Sequence, residues 1–314
     1  MTRWFSSLDT RENAGRVGLG LAGITAVVSG ISVFVNASAV RAVGDPVLFT
    51  TLKNGVAAVL LLGIAMVAVR GPWRPQWRAA PGLLALGVIG GSLPFVLFFS
   101  GLAQATAPAA AVIHKTLFVW VALLAVVFLR ERLGGLQIGA LGVLLVSQLL
   151  VQSPTGVGWG IGEMMIAAAT AFWALEVIVA KRVLGGVPSP VAAAARMGIG
   201  LVVLIGFLGA TGGSAAIGSL RLDQVGWVLL TGLLLTAYVA SWYAALQRAP
   251  ASAVTAVLTI GAPITAGLQL VAAGQVPTPS TAAGYGIGLV AAVVVAAIAI
   301  RGRRPTPVPQ PARS

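Results

Sequence analysis

Cysteine is absent from the 314 residues, and His114 is the single histidine. Disulfides and thiolate metal sites are thereby excluded, and one histidine does not make a histidine metal centre. No metal and no cofactor is expected. Charge is scarce as well: Asp, Glu, Lys and Arg make up 9% of the chain, where a soluble domain carries roughly 25%. So few charges cannot cover a surface facing water, so lipid must be the solvent for most of the chain. Acids are rarest, seven against twenty Lys and Arg, for a formal net charge of +13. On a soluble protein that excess suggests nucleic acid. Here the cations sit between apolar runs, and nucleic acid is not expected as a partner. A Walker motif is missing, and "GLGLAG" (18–23) has no strand before it, so ATP-driven pumping by this chain alone is not expected.

What is present is long apolar runs, with 58% of the residues hydrophobic. A helix needs about 20 apolar residues to span a bilayer. Ten such runs are read: 17–40, 46–69, 80–102, 106–129, 135–152, 157–180, 190–211, 223–246, 250–272 and 281–300. They are continuous rather than alternating, which makes them helices and not barrel strands. Pro/Gly breakers such as "GPWRPQWR" (71–78), "LGGVPSP" (184–190) and "GQVPTPS" (274–280) separate them. Residues 1–39 have the outline of a signal peptide ending in "ASA" (37–39), but the apolar run exceeds an h-region of about 7–15 residues. It is read as the first span.

With the N-terminus in the cytoplasm, Arg3, Arg11, Arg16, Arg70, Arg74, Arg78, Arg130, Arg132, Lys181, Arg182, Arg248, Arg301, Arg303, Arg304 and Arg313 all fall on the cytoplasmic side. Only Arg41 and Arg221 fall outside, fifteen against two. The positive-inside rule then predicts both termini cytoplasmic.

An internal repeat runs through the chain. "DPVLFTTLK" opens span two and "SPVAAAARM" span seven, with Pro46 and Pro190 144 positions apart. Lys53 and Arg196 follow those prolines by seven and six residues. "FSGLAQA" (99–105) matches "YAALQRA" (243–249) at the same offset, and "PAAAV" (108–112) matches "PASAV" (250–254) at 142. Two five-helix units follow. Because five is odd, the second must enter the membrane from the opposite side. Inverted repeats are characteristic of secondary transporters, with the substrate site near the midplane at the repeat interface.

The stretch "FFSGLAQATAPAAAVIHKTLFVWVALLAVVFLRERLGGLQIGALGVLLV" (98–146) resembles the EamA domain of the drug/metabolite transporter superfamily. Glu-Arg-Leu of the domain's fourth-helix end stands at Glu131 to Leu133, with Arg130 where glycine is usual. The second copy keeps a proline at Pro263 and has Gln275 for the glutamate, while Val119 stands where the first copy often has proline. The resemblance implies an all-α integral membrane protein of ten helices in two inverted five-helix repeats. The units are 1–16 (cytoplasmic segment), 17–152, 157–301 and a tail, 302–314. It further implies a multi-pass plasma-membrane protein of bacterial inner-membrane type. Such a protein moves small metabolites, amino acids among them. A basic residue in helix two is common in the family, and here it falls on Lys53.

The ionisable residues within the spans are Lys53, His114, Lys115, Glu163, Glu176 and Arg196. A charge at a helix centre costs about 2.5–3.5 kcal/mol on insertion scales, so it faces water or a partner. Lys53 lies about 10 Å below Pro46 and Arg196 a similar depth from the other side, each within partial snorkelling reach. Lys115 is nearer the midplane, where snorkelling is hard. Histidine is the side chain whose ordinary pKa lies near neutrality, which makes a proton at His114 a candidate coupling ion. Glu176, roughly 7 Å along its helix from Lys181, offers either a cavity acid or an ion pair with Lys181 or Arg182. Glu163 sits near the outer end of its span. Asn36, Trp173 and Tyr238 complete the candidate substrate-binding set of Lys53, Lys115, His114, Arg196 and Glu176. Ser32 belongs to the same polar tier, and Trp242 and Tyr243 suit an interfacial aromatic belt. The interior leans cationic, which favours an anionic group on the ligand.

The chain therefore reads as a secondary transporter, not an enzyme. It would move a small polar metabolite outward by alternating access, an amino acid or related compound, with the bilayer as its environment. The rival readings are a non-transporting membrane protein, an enzyme of lipid intermediates, or a channel. Clustered acids or histidines at one interface would mark the enzyme, and a polar stripe along one helix the channel. Oligomeric state is not legible in the sequence.

Overall fold

Lipid offers no hydrogen bonds to a backbone, so every spanning segment must satisfy its own. The computed structural model describes residues 2–69, 77–102, 104–105, 107–152, 159–213, 217–218, 220–274 and 276–301, and among these it has helices and no strands. Arg70, Arg74, residues 153–158 between the fifth and sixth spans, Gln275 and the tail from 302 lie outside the described residues. The helices are α1 (Thr2–Val43), α2 (Pro46–Ala68), α3 (Ala80–Ala85), α4 (Leu93–Leu102), α5 (Ala107–Lys115), α6 (Leu117–Leu129) and α7 (Gly135–Gln152). The second half adds α8 (Ile161–Val183), α9 (Ser189–Ala210), α10 (Leu222–Arg248), α11 (Ala251–Leu258), α12 (Gly261–Ala273) and α13 (Pro279–Arg301). Among the described residues, nine segments are long and apolar enough to cross a membrane, and Gly135–Val151 is a shorter apolar helix in the fifth place.

Local chemistry sets the ends. Asp45 Oδ1 accepts from the N–H groups of Val47 (2.8 Å) and Leu48 (3.1 Å), just before Pro46 enters α2, which satisfies orphan donors of the first turn. Glu163 Oε2 accepts from Gly160 N at 3.1 Å and closes the start of α8. This embedded acid is thus spent on its own helix end.

Spans three, four and nine, expected as continuous helices, are broken. A π-helical turn, Leu86–Gly90, joins α3 to α4. Span four breaks at Thr116 and span nine at Thr259–Ile260. The Thr116 hydroxyl donates to Ile113 O (2.7 Å) and that of Thr259 to Ala256 O (2.6 Å). Each carbonyl also accepts the threonine's own N–H (3.1 and 3.2 Å), so hydroxyl and amide together close a tight turn at the break. Pro263 stands in the first turn of α12, where its missing N–H costs nothing, and Val119 fills the equivalent turn of α6. The break therefore does not depend on proline. Both half-helices end in a left-handed residue, Arg130 (φ 55°) after α6 and Gly274 (φ 64°) after α12, again 144 positions apart.

The same offset organises the packing. Helix α1 packs on α10 as α8 packs on α4, and α1 meets α12 as α8 meets α6. Helices α2 and α9, and likewise α7 and α13, pack as counterpart pairs, the arrangement of two units about a pseudo-twofold axis. Small residues fill the interior. Ala57, Ala174, Ala192, Ala253 and Ala292 are fully buried, whereas Val59, Met66, Val127, Val202 and Val290 lie on the outside. Large apolar side chains such as Phe49, Leu61 and Phe118 are buried as well, and the small residues let the helices approach closely where they meet, as a lipid solvent favours. A Cβ on Gly30 would stand 2.7 Å from Gly261 O. Glycine there lets α1 and α12 close up, and Thr265 Oγ1 donates to Gly30 O at 2.9 Å across the contact.

A candidate substrate cavity between the repeats

Where the broken helices face α1, α8 and α10, the packing leaves a cavity of about 630 Å³. All eight candidate residues line it: Asn36 from α1, Lys53 from α2, His114 and Lys115 from the end of α5, Trp173 and Glu176 from α8, Arg196 from α9 and Tyr238 from α10. They are far apart in sequence, and the repeat interface brings them together.

Two of the embedded charges neutralise each other. Arg196 Nε lies 3.3 Å from Glu176 Oε1, with both side chains almost fully buried. The expected pairing of Glu176 with Lys181 or Arg182 is not what forms. Those residues are five and six positions further along α8, so they project about 140° and 240° round the helix from Glu176. Lys181 Nζ instead donates to Leu246 O and to Ala249 O (2.6 Å), and Arg182 Nη2 donates to Phe128 O (2.9 Å). The Tyr243 hydroxyl donates to Glu176 Oε1 at 2.5 Å. Gly90 O, freed by the π-turn, accepts from Arg196 Nη2 (3.0 Å) and Trp173 Nε1 (3.3 Å). π-turns are frequent at functional sites; here the turn lies behind the lining residues Trp173 and Arg196 and ties the first repeat to α8 and α9 of the second.

Lys53 and Lys115 differ from Arg196. Neither has a hydrogen bond or carboxylate partner among the described residues. Lys53 is 9% exposed, and its Nζ stands 5.0 Å from the centre of the Phe49 ring, a cation–π contact that compensates part of its burial. Glu176, already paired, is the one acid among the described lining residues. His114 Nδ1, Asn36 Oδ1 and Ser32 Oγ are also buried without hydrogen-bond partners. Such groups are costly to leave unpaired, so they point to a ligand or to water. The His114 ring sits among aromatics, 5.0 Å from Trp173 and 5.3 Å from Phe98.

Trp242 and Tyr243 are not in an interfacial belt. Trp242 lines the cavity, its ring stacked 6.1 Å from Tyr238, and Tyr243 is fully buried. The inward face of α10 carries both, because that helix packs against α1, α2, α8 and α9 together. Sequence reasoning missed the lining from α11–α13, notably Thr255, Thr259, Thr265, Gln269 and Tyr285. Serine and threonine are common in packed spans, so no local signal separated these from ordinary packing residues.

Glu131 acts at one end of the bundle. Its carboxylate accepts from Ala251 N (2.6 Å), Ser252 N (3.3 Å) and Ser252 Oγ (2.6 Å). A residue of the first repeat thereby caps a helix of the second whose own N-cap, Pro250, supplies no side-chain acceptor.

Comparison with curated proteins gives no match. Among solved structures, 29 chains are similar. One crystal structure, described only as that of a protein, superposes with a TM-score of 0.68 at 16% identity. The match covers 89% of this chain and 98% of the other, and this likeness speaks to the fold. The model of the EamA-like transporter family matches residues 16–152 and again 160–297. The chain, two repeats around a shared polar cavity, belongs to the EamA-like transporter family.

Proposed function

We propose that the protein is a secondary transporter. It exports a small polar metabolite bearing a carboxylate, an amino acid or related compound, across the plasma membrane by alternating access. The carrying observation is the pair of lysines, Lys53 and Lys115, that line the cavity with no carboxylate partner among the described residues. An ammonium held in a membrane-embedded cavity invites a counter-charge, and the ligand is its natural source. The repeats are inverted, with both termini cytoplasmic. The distribution of Lys and Arg between the loops supports this orientation, and the odd number of spans per repeat supports the inversion. Rocking of one repeat against the other would then expose the cavity alternately. His114, unpartnered at Nδ1 in the wall, is the candidate for a coupling proton.

Counterflow in proteoliposomes tests the reading. Vesicles loaded with an unlabelled amino-acid mixture should accumulate the matching labelled amino acid, and the Lys53→Ala/Lys115→Ala variant should not. Wild-type vesicles that accumulate no carboxylate-bearing compound, but do accumulate hydrophobic cations, would overturn the substrate assignment.

A further inference from the structure

Lys53, Lys115 and Asn36 are set at one depth. Consecutive spans alternate in direction, so the end of α1, the start of α2 and the start of α5 share one face of the bundle. Asn36 lies seven residues before Val43 and Lys53 seven after Pro46, and Lys115 is eight after Ala107. At 1.5 Å per residue these depths are about 10, 10 and 12 Å. The backbones that carry the two unpaired lysines and the unpartnered Asn36 Oδ1 thus stand at similar heights along the cavity they line. This holds whichever side of the membrane that face meets. Glu176, fifteen residues into α8 from the same face, is about 22 Å down, and Arg196 neutralises it there. The cavity thus has a neutral floor and a doubly cationic layer above it.

We propose that the substrate carries two carboxylates and one amino group, as a dicarboxylic amino acid does. One carboxylate meets Lys53, the other Lys115, and the amino group donates to Asn36 Oδ1. The inference rests on the transporter reading above and narrows its substrate class. An amino acid with a neutral side chain, or a monocarboxylate, supplies one carboxylate and leaves the other ammonium without a partner. A ligand with two carboxylates pairs both ammonium groups, and its own amino group is taken up by the unpartnered Asn36 Oδ1. The lysine side chains are long and flexible, so both reach into one small ligand. A phosphate monoester that carries an amino group, such as phosphoserine, also brings two negative charges on one phosphate, and the titration distinguishes it.

The test uses the full-length protein in lipid nanodiscs and calorimetric titration, with L-glutamate, L-glutamine, succinate and phosphoserine as probes. Glutamate and glutamine have nearly the same shape and differ by one charge, so the wild-type comparison needs no variant. Glutamate is expected to bind at least roughly tenfold more tightly than glutamine, the scale of one lost charged contact. Lys53→Gln and Lys115→Gln should each shrink that ratio. Asn36→Ala should weaken glutamate but leave succinate unchanged. Melting curves of the ligand-free variants establish that they are folded. Equal binding of glutamate and glutamine overturns the dicarboxylate inference and leaves the amino-acid transporter reading in place. Phosphoserine binding alone also overturns it, in favour of a phosphate ligand. If no probe binds and counterflow fails for every carboxylate-bearing compound, both readings fall.

Discussion

Replacing Glu131 by glutamine should loosen the junction between the repeats without altering the cavity wall. The carboxylate receives three hydrogen bonds at the start of α11, two of them at 2.6 Å. Hydrogen bonds to a charged partner contribute about 1.5–3 kcal/mol each and neutral ones about 0.5–1.5. Glutamine keeps one acceptor oxygen and the shape, but loses the charge and the second acceptor. The negative charge at a helix N-terminus adds a further 0.3–1 kcal/mol or so. Glu131 is half-buried, so water replaces part of what is lost, and the expected destabilisation is about 2 kcal/mol for Glu131→Gln and about 3 kcal/mol for Glu131→Ala. Denaturant unfolding in detergent micelles measures both. Ser252→Ala removes one of the three donors, so the Glu131/Ser252 double-mutant cycle should return a coupling of about 1 kcal/mol. Additive single effects, or a glutamine variant as stable as the wild type, would show that Glu131 does not hold the second repeat.

Removing Arg196 alone, as Arg196→Met, leaves Glu176 buried without its cation and should cost about 3–5 kcal/mol. Adding Glu176→Gln should recover part of that loss in the same unfolding assay. Gly274→Ala places a Cβ at φ 64° with nothing within 4 Å of it, so its cost is backbone strain alone, about 1–2 kcal/mol. Arg130, at φ 55° in the matching place, already bears that strain; Arg130→Gly should change stability in the opposite direction, by less than about 1 kcal/mol, since the attraction of arginine for the helix C-terminus is lost as well.

The transmembrane character was legible because it depends on composition summed over about 20 residues at a time, a quantity local to each segment. The repeat was legible too, since duplicated prolines such as Pro46 and Pro190 survive as positions in a string. Embedded charges declared themselves by their cost in lipid, which is why Lys53 and Lys115 stood out before any geometry was known. Their surroundings were not legible. Glu176 was near Lys181 along the chain and near Arg196 in space, and only helix rotation and the approach of α9 decided between them. Trp242 and Tyr243 looked interfacial from their distance to the helix end, but the face they occupy on α10 put them inside.

The helix breaks mark the same boundary between local and tertiary information. Thr116 and Thr259 are unremarkable in sequence, since threonine is tolerated within membrane helices, and the break at Thr116 occurs with Val119 in place of a proline. Likewise Glu131 is 120 positions from the N–H groups it caps, and no local rule reaches that far. Solvent and the presence of two halves were settled by the chain's own chemistry, because burial in lipid acts on each segment separately. Which cation is paired and which is left without a carboxylate were settled by contacts between the halves, because pairing depends on distances that exist only after the helices have packed.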